Sequence, residues 1–218
     1  SIAIKNNIAV IIAQGNILDG SHSSGSIGGD STARLIRNAA QNKNTKAIVL
    51  RVDSGGGSAF ASEVIREEIV AAKNLNIPVI ASMANVAASG GYWISVSADE
   101  VWAAHNTITG SIGVFGAIPT FENSLDYIGI HSDGLGTTAL SGSQNLNREI
   151  NPVLANIMQS NVEFIYKRFL DLVAEERQMS VERVNDIAQG KVWSGTKALE
   201  IGLIDNLGNL SQVIKRAA

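Results

Sequence analysis

Short apolar runs alternate along the chain with segments whose apolar residues recur at helical spacing. The runs are rich in β-branched residues and lack a regular apolar–polar alternation, which is typical of parallel strands buried on both faces. They predict four strands, at Ile8–Ile12, Ala47–Val52, Pro78–Met83 and Glu100–Ala103. Strands that alternate with helices predict a layered α/β fold built from βαβ units with right-handed crossovers.

The helical segments complete this picture. Two of them lie between the strands, at Ser31–Gln41 and Ser58–Asn74, and the first opens with Ser and Thr residues suited to capping. A long amphipathic helix is predicted at Asn151–Arg177, followed by three shorter helices at Ser180–Ala188, Thr196–Ile201 and Leu210–Ala217. Neither an internal repeat nor a domain boundary is evident. Residues 1–218 are therefore predicted to form a single domain with a long helical carboxy-terminal part.

Two segments follow neither periodicity. Asp19–Asp30 is rich in glycine and serine, and Ser132–Asn147 combines glycine with small polar residues. Such composition favours irregular backbone at the protein surface. The first segment is predicted to be a mobile surface loop, and the second a loose connection before the long helix.

Composition narrows the classes of function. The formal net charge is −3 with no basic stripe, so no nucleic-acid partner is predicted. The chain has no cysteine, and its three histidines lack metal-ligand spacing, so neither a metal nor a cofactor is predicted. The apolar runs are shorter than the roughly 20 residues that cross a bilayer. Because the chain begins with Ser and lacks a signal peptide, it is interpreted as a processed product or an excised fragment.

A glycine-rich turn lies where the second predicted strand meets a helix, with the sequence Asp53-Ser54-Gly55-Gly56-Gly57-Ser58. Glycines there let a ligand approach main-chain N–H groups, and the helix N-terminus adds further donors. Such a site binds a phosphate or a developing oxyanion, although a tight turn without a ligand is an alternative. The turn lacks the Gly-Lys-Ser/Thr ending of a phosphate loop, and a dinucleotide fingerprint is also missing.

A second motif, Ala87-Ala88-Ser89-Gly90-Gly91, follows the third predicted strand. Its small residues leave the Ser89 hydroxyl accessible, let the next helix pack closely and make the Gly90 amide a candidate oxyanion donor. The alternative is that Ser89 simply caps the helix. Since ligands bind at the carboxyl ends of strands in such sheets, the two glycine motifs together favour acyl chemistry, with Ser89 as the nucleophile.

A third motif, Thr109–Gly116, alternates glycine with apolar residues. This pattern is typical of an exposed strand that could pair with an extended peptide, although a purely structural strand is the alternative.

In this order, the three motifs resemble the signal peptide peptidase A (protease IV) family, which shares the ClpP/crotonase-like fold. The resemblance rests on AASGGYWIS at Ala87–Ser95 and TGSIGVFG at Thr109–Gly116, and it extends to GKVWSG at Gly190–Gly195 and GLID at Gly202–Asp205. It covers nearly the whole chain, and the first two motifs are highly specific. An α/β fold of the ClpP/crotonase type is therefore expected.

The resemblance also implies roles for single residues. It implies that Ser89 is the nucleophile, that a lysine is the general base, and that Ser111 hydrogen-bonds that lysine. The oxyanion donors are expected at Gly56 and Gly90. The substrate is expected to lie extended beside the remaining predicted binding residues, which are Gly55, Gly57, Ile112 and Gly113.

The sequence departs from the family at the base. Short family members carry the lysine in the region matching Ile130–Ser143, but here no lysine occurs between Lys73 and Lys167. Long tandem-repeat members place the serine in the carboxy-terminal repeat and the lysine in the amino-terminal repeat. The chain is therefore interpreted as such a carboxy-terminal repeat, inactive alone. A Ser–His pair using His105 or His131 is the alternative source of a base.

The function implied is that of a serine endopeptidase that degrades cleaved signal peptides and similar extended hydrophobic peptides. The expected partners are the amino-terminal repeat of the same protein and further copies in a homo-oligomer. The resemblance places the protein at the bacterial inner membrane with its catalytic part facing the periplasm. Two other functions stay open: a crotonase-like acyl-thioester enzyme, and a non-catalytic assembly module.

Overall fold

The structure is a computed structural model that describes residues 6–218. Its helices are α1 Gly29–Gln41, α2 Ala59–Asn74, α3 Gly90–Val96, α4 Glu122–Tyr127, α5 Pro152–Arg177, α6 Val181–Ile187, α7 Gly195–Glu200 and α8 Leu210–Ala217. Its strands are β1 Asn7–Gln14, β2 Asn16–Leu18, β3 Ser26–Gly28, β4 Thr45–Ser54, β5 Val79–Ala88, β6 Glu100–Ala103, β7 Ile108–Gly110, β8 Val192–Ser194 and β9 Asn206–Leu207.

The main sheet is largely parallel. Within the described residues it has seven strands, in the order β1-β4-β5-β6-β9, with β7 paired to β5 and β8 paired to β7. Every pair is parallel except β7 with β8, as expected of an α/β fold built from crossovers. A separate two-stranded sheet joins β2 and β3. The predicted fold class and all four predicted strands are confirmed.

The chain divides into two compact units. One combines the residues up to Gly113 with Phe169–Ala218, and the other is Val114–Arg168. The first unit contains the main sheet, and strand β4 lies between β1 and β5 with Ile48, Val49 and Leu50 wholly buried. None of the described helices is both long and apolar enough to cross a membrane.

Two predictions of local structure were incomplete. The predicted mobile loop at Asp19–Asp30 contains strand β3 and the start of α1, and Ile27 within it is buried. A strand of three residues is too short to show a period of two, so the glycine- and serine-rich composition led to the prediction of a loop. Helix α4 was not predicted, because it has no buried residue and hence no apolar stripe. Residues 132–147 form turns without a helix or strand, as predicted.

Helix α3 is held rigidly in the first unit. Every residue of Gly90–Val96 is buried, and the Tyr92 hydroxyl donates to the carbonyl of Leu203 at 2.7 Å. Burial raises the pKa of Tyr92, so its hydroxyl stays neutral and acts as a donor. Next to Leu203, Asp205 accepts from the backbone N–H of Val101 and pairs with both terminal nitrogens of Arg177. The late GLID motif therefore anchors the helix that follows Ser89.

Candidate active site

Ser89 sits at the junction between β5 and α3 in a strained conformation. Its φ is 52° and its ψ is −121°, in a region that non-glycine residues avoid at a cost of about 1–3 kcal/mol. It occupies the N-cap position, yet its side chain makes no capping hydrogen bond. By contrast, the N-cap Ser58 accepts from the N–H of Ala61 at 3.1 Å. The half-buried hydroxyl of Ser89 is thus left available, and the capping hypothesis is not supported.

The glycines after Ser89 permit a close backbone approach. A Cβ on Gly91 would lie 2.6 Å from the carbonyl oxygen of Ser54, and one on Gly90 would lie 2.7 Å from the Ser62 hydroxyl. Larger residues would push α3 away from the ends of β4 and α2. The small-residue motif therefore sets the serine directly against the glycine loop.

The glycine loop touches the serine through Gly56. Its φ is +107°, and a Cβ there would lie 2.8 Å from the Cβ of Ser89 and 2.7 Å from the backbone nitrogen of Gly90. Gly55, also a predicted substrate-binding residue, is exposed, and a Cβ on it would meet nothing within 4 Å. The structure thus brings Ser89, Gly90 and Gly56 together and leaves Gly55 on the outside.

The direction of each amide in the loop decides which one can donate. The N–H of Ile17 donates to the carbonyl of Gly56, and the N–H of Ser58 donates to the carbonyl of Ile17. These bonds form a parallel bridge between Ile17 and Gly57, so the N–H and C=O of Gly57 point to the opposite side. The nitrogen of Gly57 lies 3.2 Å from the position of a Cβ on Gly90.

The amide of Gly56 is already engaged, because it donates to the Ser54 hydroxyl at 3.1 Å. Among residues 6–218, neither Gly57 nor Gly90 has a hydrogen-bond acceptor for its backbone N–H. The geometry therefore favours Gly57 over the predicted Gly56 as the loop's oxyanion donor, and it leaves Gly90 in the predicted role.

Ser111 is brought next to the nucleophile by the backbone. The N–H of Ser89 donates to the carbonyl of Gly110 at 2.9 Å, so the residue before Ser111 is tied to Ser89. Ser111 is half-buried with a φ of 48°, and its own N–H donates to the carbonyl of Lys191. The two serines predicted to act together therefore lie in neighbouring segments of one unit.

The predicted strand over Thr109–Gly116 is shorter than expected. Strand β7 ends at Gly110, because the positive φ at Gly110 and Ser111 breaks the extended backbone. The side chain of Ile112 is fully buried and its carbonyl accepts from the N–H of Gly190, so only its remaining backbone groups can face a peptide. A Cβ on Gly113 would lie 2.9 Å from the nitrogen of Gly190, so this residue packs against the same turn.

The GKVWSG motif braces this kinked segment. Strand β8 pairs antiparallel with β7, and Trp193 Cδ1 would lie 2.8 Å from a Cβ on Gly110. The indole N–H of Trp193 donates to the carbonyl of Ile187 at 3.0 Å, which fixes the ring. The sequence did not indicate this role, because a three-residue strand that is mostly exposed has little pattern.

Four side chains that could act as a base, two lysines and two histidines, have hydrogen-bond partners other than Ser89. Lys73 donates to the carbonyl of Ser97, and Lys191 donates to the carbonyl of Asp186, each at 2.8 Å. The imidazole of His105 hydrogen-bonds to Thr196, and that of His131 to Asp126. In the described part of the chain, no cluster of three or more His, Asp or Glu side chains is arranged to hold a metal. None of these four side chains hydrogen-bonds to Ser89.

The fold places the chain in the ClpP class. A variant of ClpP1 from Listeria monocytogenes superimposes with a TM-score of 0.62 over 94% of each chain, at 15% sequence identity. This confirms the predicted fold and, at such low identity, shows the fold alone.

The chain belongs to Peptidase family S49, whose model matches residues 71–218. It is 49% identical, over 97% of its length, to Protease 4 of Salmonella typhi. It is also 37% identical, over 82% of its length, to the chloroplastic Serine protease SPPA of Arabidopsis thaliana. The chain spans 34% and 26% of the length of these two curated relatives. The predicted family membership is confirmed.

Proposed function

We propose that this chain is the serine-bearing carboxy-terminal repeat of a long-form S49 peptidase, with Ser89 as the nucleophile. The observation that carries the proposal is the strained Ser89, whose hydroxyl is not used as a cap and which lies beside the free amides of Gly57 and Gly90. Two amides beside an available hydroxyl suit attack on a carbonyl whose oxygen becomes negatively charged. The S49 match favours this chemistry over a crotonase-like thioester reaction.

The reaction proceeds by acyl transfer. Ser89 Oγ attacks the scissile carbonyl carbon and gives its proton to a neutral lysine of the amino-terminal repeat. Desolvation lowers the pKa of such a lysine enough for it to serve as a base, and Ser111 orients it. The Gly57 and Gly90 amides donate to the oxyanion. When the C–N bond breaks, the lysine returns the proton to the leaving amine, and water then hydrolyses the acyl-enzyme ester in the same way.

The substrate is an extended, hydrophobic peptide such as a cleaved signal peptide. Gly57 directs its N–H and C=O away from Ile17, so this short stretch of backbone can pair with an added strand. Two large apolar side chains flank this bridge in sequence: Leu18, which follows Ile17, is 38% exposed, and Phe60, three residues after Gly57, is 69% exposed. Both features support recognition of an extended backbone that carries apolar side chains.

The division of nucleophile and base between two repeats predicts that the chain alone is nearly inactive. The full-length protein should hydrolyse a hydrophobic peptide, and the isolated chain should be slower by at least about 100-fold, the low end for loss of a general base. Steady-state hydrolysis of one fluorogenic peptide by both proteins measures this. Addition of the separately purified amino-terminal repeat should restore activity. Equal activity of the chain alone would overturn the split-base proposal, and an inactive full-length protein would overturn the peptidase proposal.

The second unit supports assembly with a neighbouring repeat. No residue of Val114–Arg168 is buried, and its large apolar side chains are widely exposed: Phe115 92%, Tyr127 91%, Leu135 107% and Phe164 66%. A unit without a core of its own, carrying this much exposed apolar surface, needs a protein partner. The matched relatives are about three times as long as this chain, so an equivalent unit of another S49 repeat is the proposed occupant. By resemblance, the assembly is a homo-oligomer at the bacterial inner membrane that faces the periplasm.

A charge within this surface should weaken the assembly. Phe164→Glu in the full-length protein is expected to shift the mass measured by light scattering towards smaller species, because an unpaired carboxylate would be buried at the interface. Gln144→Glu is the matched control, since it adds the same charge at an exposed polar position of the same unit. An unchanged mass for Phe164→Glu would exclude that residue from the interface.

A further inference from the structure

We infer that Ser54 is a positioning residue whose hydroxyl helps to hold the glycine loop with the Gly57 amide facing the nucleophile. The inference rests on the proposed peptidase function. Ser54 is the last residue of β4 and is 2% exposed, so its side chain contacts neither solvent nor a bound peptide. Its effect on the reaction must therefore pass through the backbone of the loop.

The hydroxyl makes two hydrogen bonds of opposite polarity. Ser54 Oγ donates to the carbonyl of Gly15 at 2.7 Å and accepts from the N–H of Gly56 at 3.1 Å. A hydroxyl has a single proton, so the bond to Gly15 leaves only lone pairs for Gly56. Ser54 can therefore hold an N–H group at this point of the loop but not a carbonyl.

Gly15 is itself fixed in place. It follows the end of β1 with a φ of +103°, and its N–H donates to the carbonyl of Asp53 at 3.1 Å. A Cβ on Gly15 would lie 2.2 Å from the carbonyl oxygen of Gly25, so the backbones are tightly packed there. The acceptor for the Ser54 proton is consequently rigid, and the direction of the hydroxyl is rigid with it.

The inward amide of Gly56 sets the outward amide of Gly57. The carbonyl of Gly56 accepts from the N–H of Ile17, and the N–H of Gly57 lies on the opposite side of the same trans peptide plane, so it points away from Ile17. Ser54 thus binds the N–H of Gly56, and the N–H of Gly57 is left directed towards Ser89 and Gly90. A loop of three glycines has little conformational preference of its own, so the hydrogen bonds with Ile17 on one side and Ser54 on the other select one arrangement.

Loss of the hydroxyl would leave the Gly56 N–H buried without an acceptor, which a protein avoids by local rearrangement. The peptide planes next to Gly56 can rotate readily, since glycine tolerates positive and negative φ alike. The Gly57 amide would then spend less time in the orientation that receives the oxyanion. Substrate binding in the ground state would change little, because it depends on the rest of the extended contact.

The test is Ser54→Ala in the full-length protein. We expect kcat for peptide hydrolysis to fall about 10- to 100-fold, approaching the effect of removing an oxyanion donor, with KM changed by less than about twofold. A peptide boronate, which forms a tetrahedral adduct on the serine, should lose affinity in parallel with kcat. A cleaved product peptide, which forms no oxyanion, should bind as before.

Two further variants separate positioning from general loss of structure. Ser54→Thr keeps the hydroxyl and should restore most of kcat. Ser82→Ala removes a similarly buried hydroxyl, one that accepts from Arg51 on the neighbouring strand, and should leave kcat unchanged.

The possible outcomes test the positioning role of Ser54 separately from the peptidase proposal. If Ser54→Ala keeps a kcat within about twofold of the unmodified protein while Ser89→Ala is inactive, the positioning inference is wrong and the peptidase proposal stands. If product-peptide and boronate affinities fall together, Ser54 is structural and the inference is again overturned. If Ser89→Ala remains fully active, the peptidase proposal itself fails.

Discussion

Ser89→Ala in the full-length protein should reduce kcat for peptide hydrolysis by up to about a millionfold, the scale measured when a serine nucleophile is removed from a well-studied peptidase. The reason is structural as well as chemical. Ser89 is held half-exposed by its hydrogen bond to Gly110 and by the buried helix α3, and the alternative use of its hydroxyl as a helix cap is not made. Steady-state hydrolysis of a fluorogenic peptide measures the loss, and full activity of this variant would instead support a non-catalytic assembly module.

Ser89→Gly provides the control for folding. Glycine is equally unable to attack a carbonyl, but it adopts a positive φ without the strain that Ser89 bears at 52°. We expect Ser89→Gly to be inactive and yet more stable than Ser89→Ala by about 1 kcal/mol, after allowing for the greater freedom of glycine in the unfolded chain. Thermal unfolding of the two variants measures the difference. A less stable glycine variant would contradict the strained conformation.

Gly56→Ala should be the second most damaging single change at the site. Its Cβ would lie 2.7 Å from the nitrogen of Gly90 and 2.8 Å from the Cβ of Ser89, and a φ of +107° is unfavourable for alanine. Because Gly90 N is a backbone atom, it cannot rotate away, so the loop and α3 must separate. We expect kcat to fall about 100- to 1000-fold, as when an oxyanion donor is lost. Peptide hydrolysis by the full-length protein measures this loss.

Gly55→Ala is the matched control for stability. The same methyl group on the adjacent residue would meet nothing within 4 Å. Its free energy of unfolding should stay within about 0.5 kcal/mol of the unmodified value, typical of exposed positions, whereas Gly56→Ala should lose about 1–3 kcal/mol. Equal stability and activity for the two alanine variants would show that the loop does not contact the serine as the structure describes.

Much of this architecture could be predicted from the sequence because its signals are local. Buried parallel strands such as Ala47–Val52 form continuous apolar runs, and the helix after the glycine loop shows clear periodicity and a Ser58 cap. The close packing around Ser89 could also be predicted from the sequence. Glycines on one side and alanines on the other are what a close approach to β4 and α2 requires.

The details that decide the chemistry depend on contacts that are distant in sequence. The proposal of Gly57 rather than Gly56 as a donor rests on a bridge to Ile17, about 40 residues earlier, which no local pattern reveals. The hydrogen bond from Ser54 to Gly15 is equally remote, and so is the brace of Gly110 by Trp193. Short strands such as β3 and β8 were missed because three residues cannot establish a period.

The proposed site thus combines a nucleophile and oxyanion donors from this chain with a base from the amino-terminal repeat. Ser89, Gly57, Gly90 and Ser111 all belong to the first compact unit, where short backbone contacts fix them relative to one another. Lys191, whose carbonyl accepts from Ser111, directs its ammonium group to the carbonyl of Asp186. Such an arrangement would make hydrolysis depend on correct assembly of the two repeats.

Covalent labelling by a peptide-based, serine-directed acylating reagent, followed by mass-spectrometric mapping, tests the central proposal most directly. The predicted result is a single adduct on Ser89 in the full-length protein and little or no labelling of the chain alone. Labelling of a different serine in the active full-length protein would contradict the assignment of Ser89 as the nucleophile.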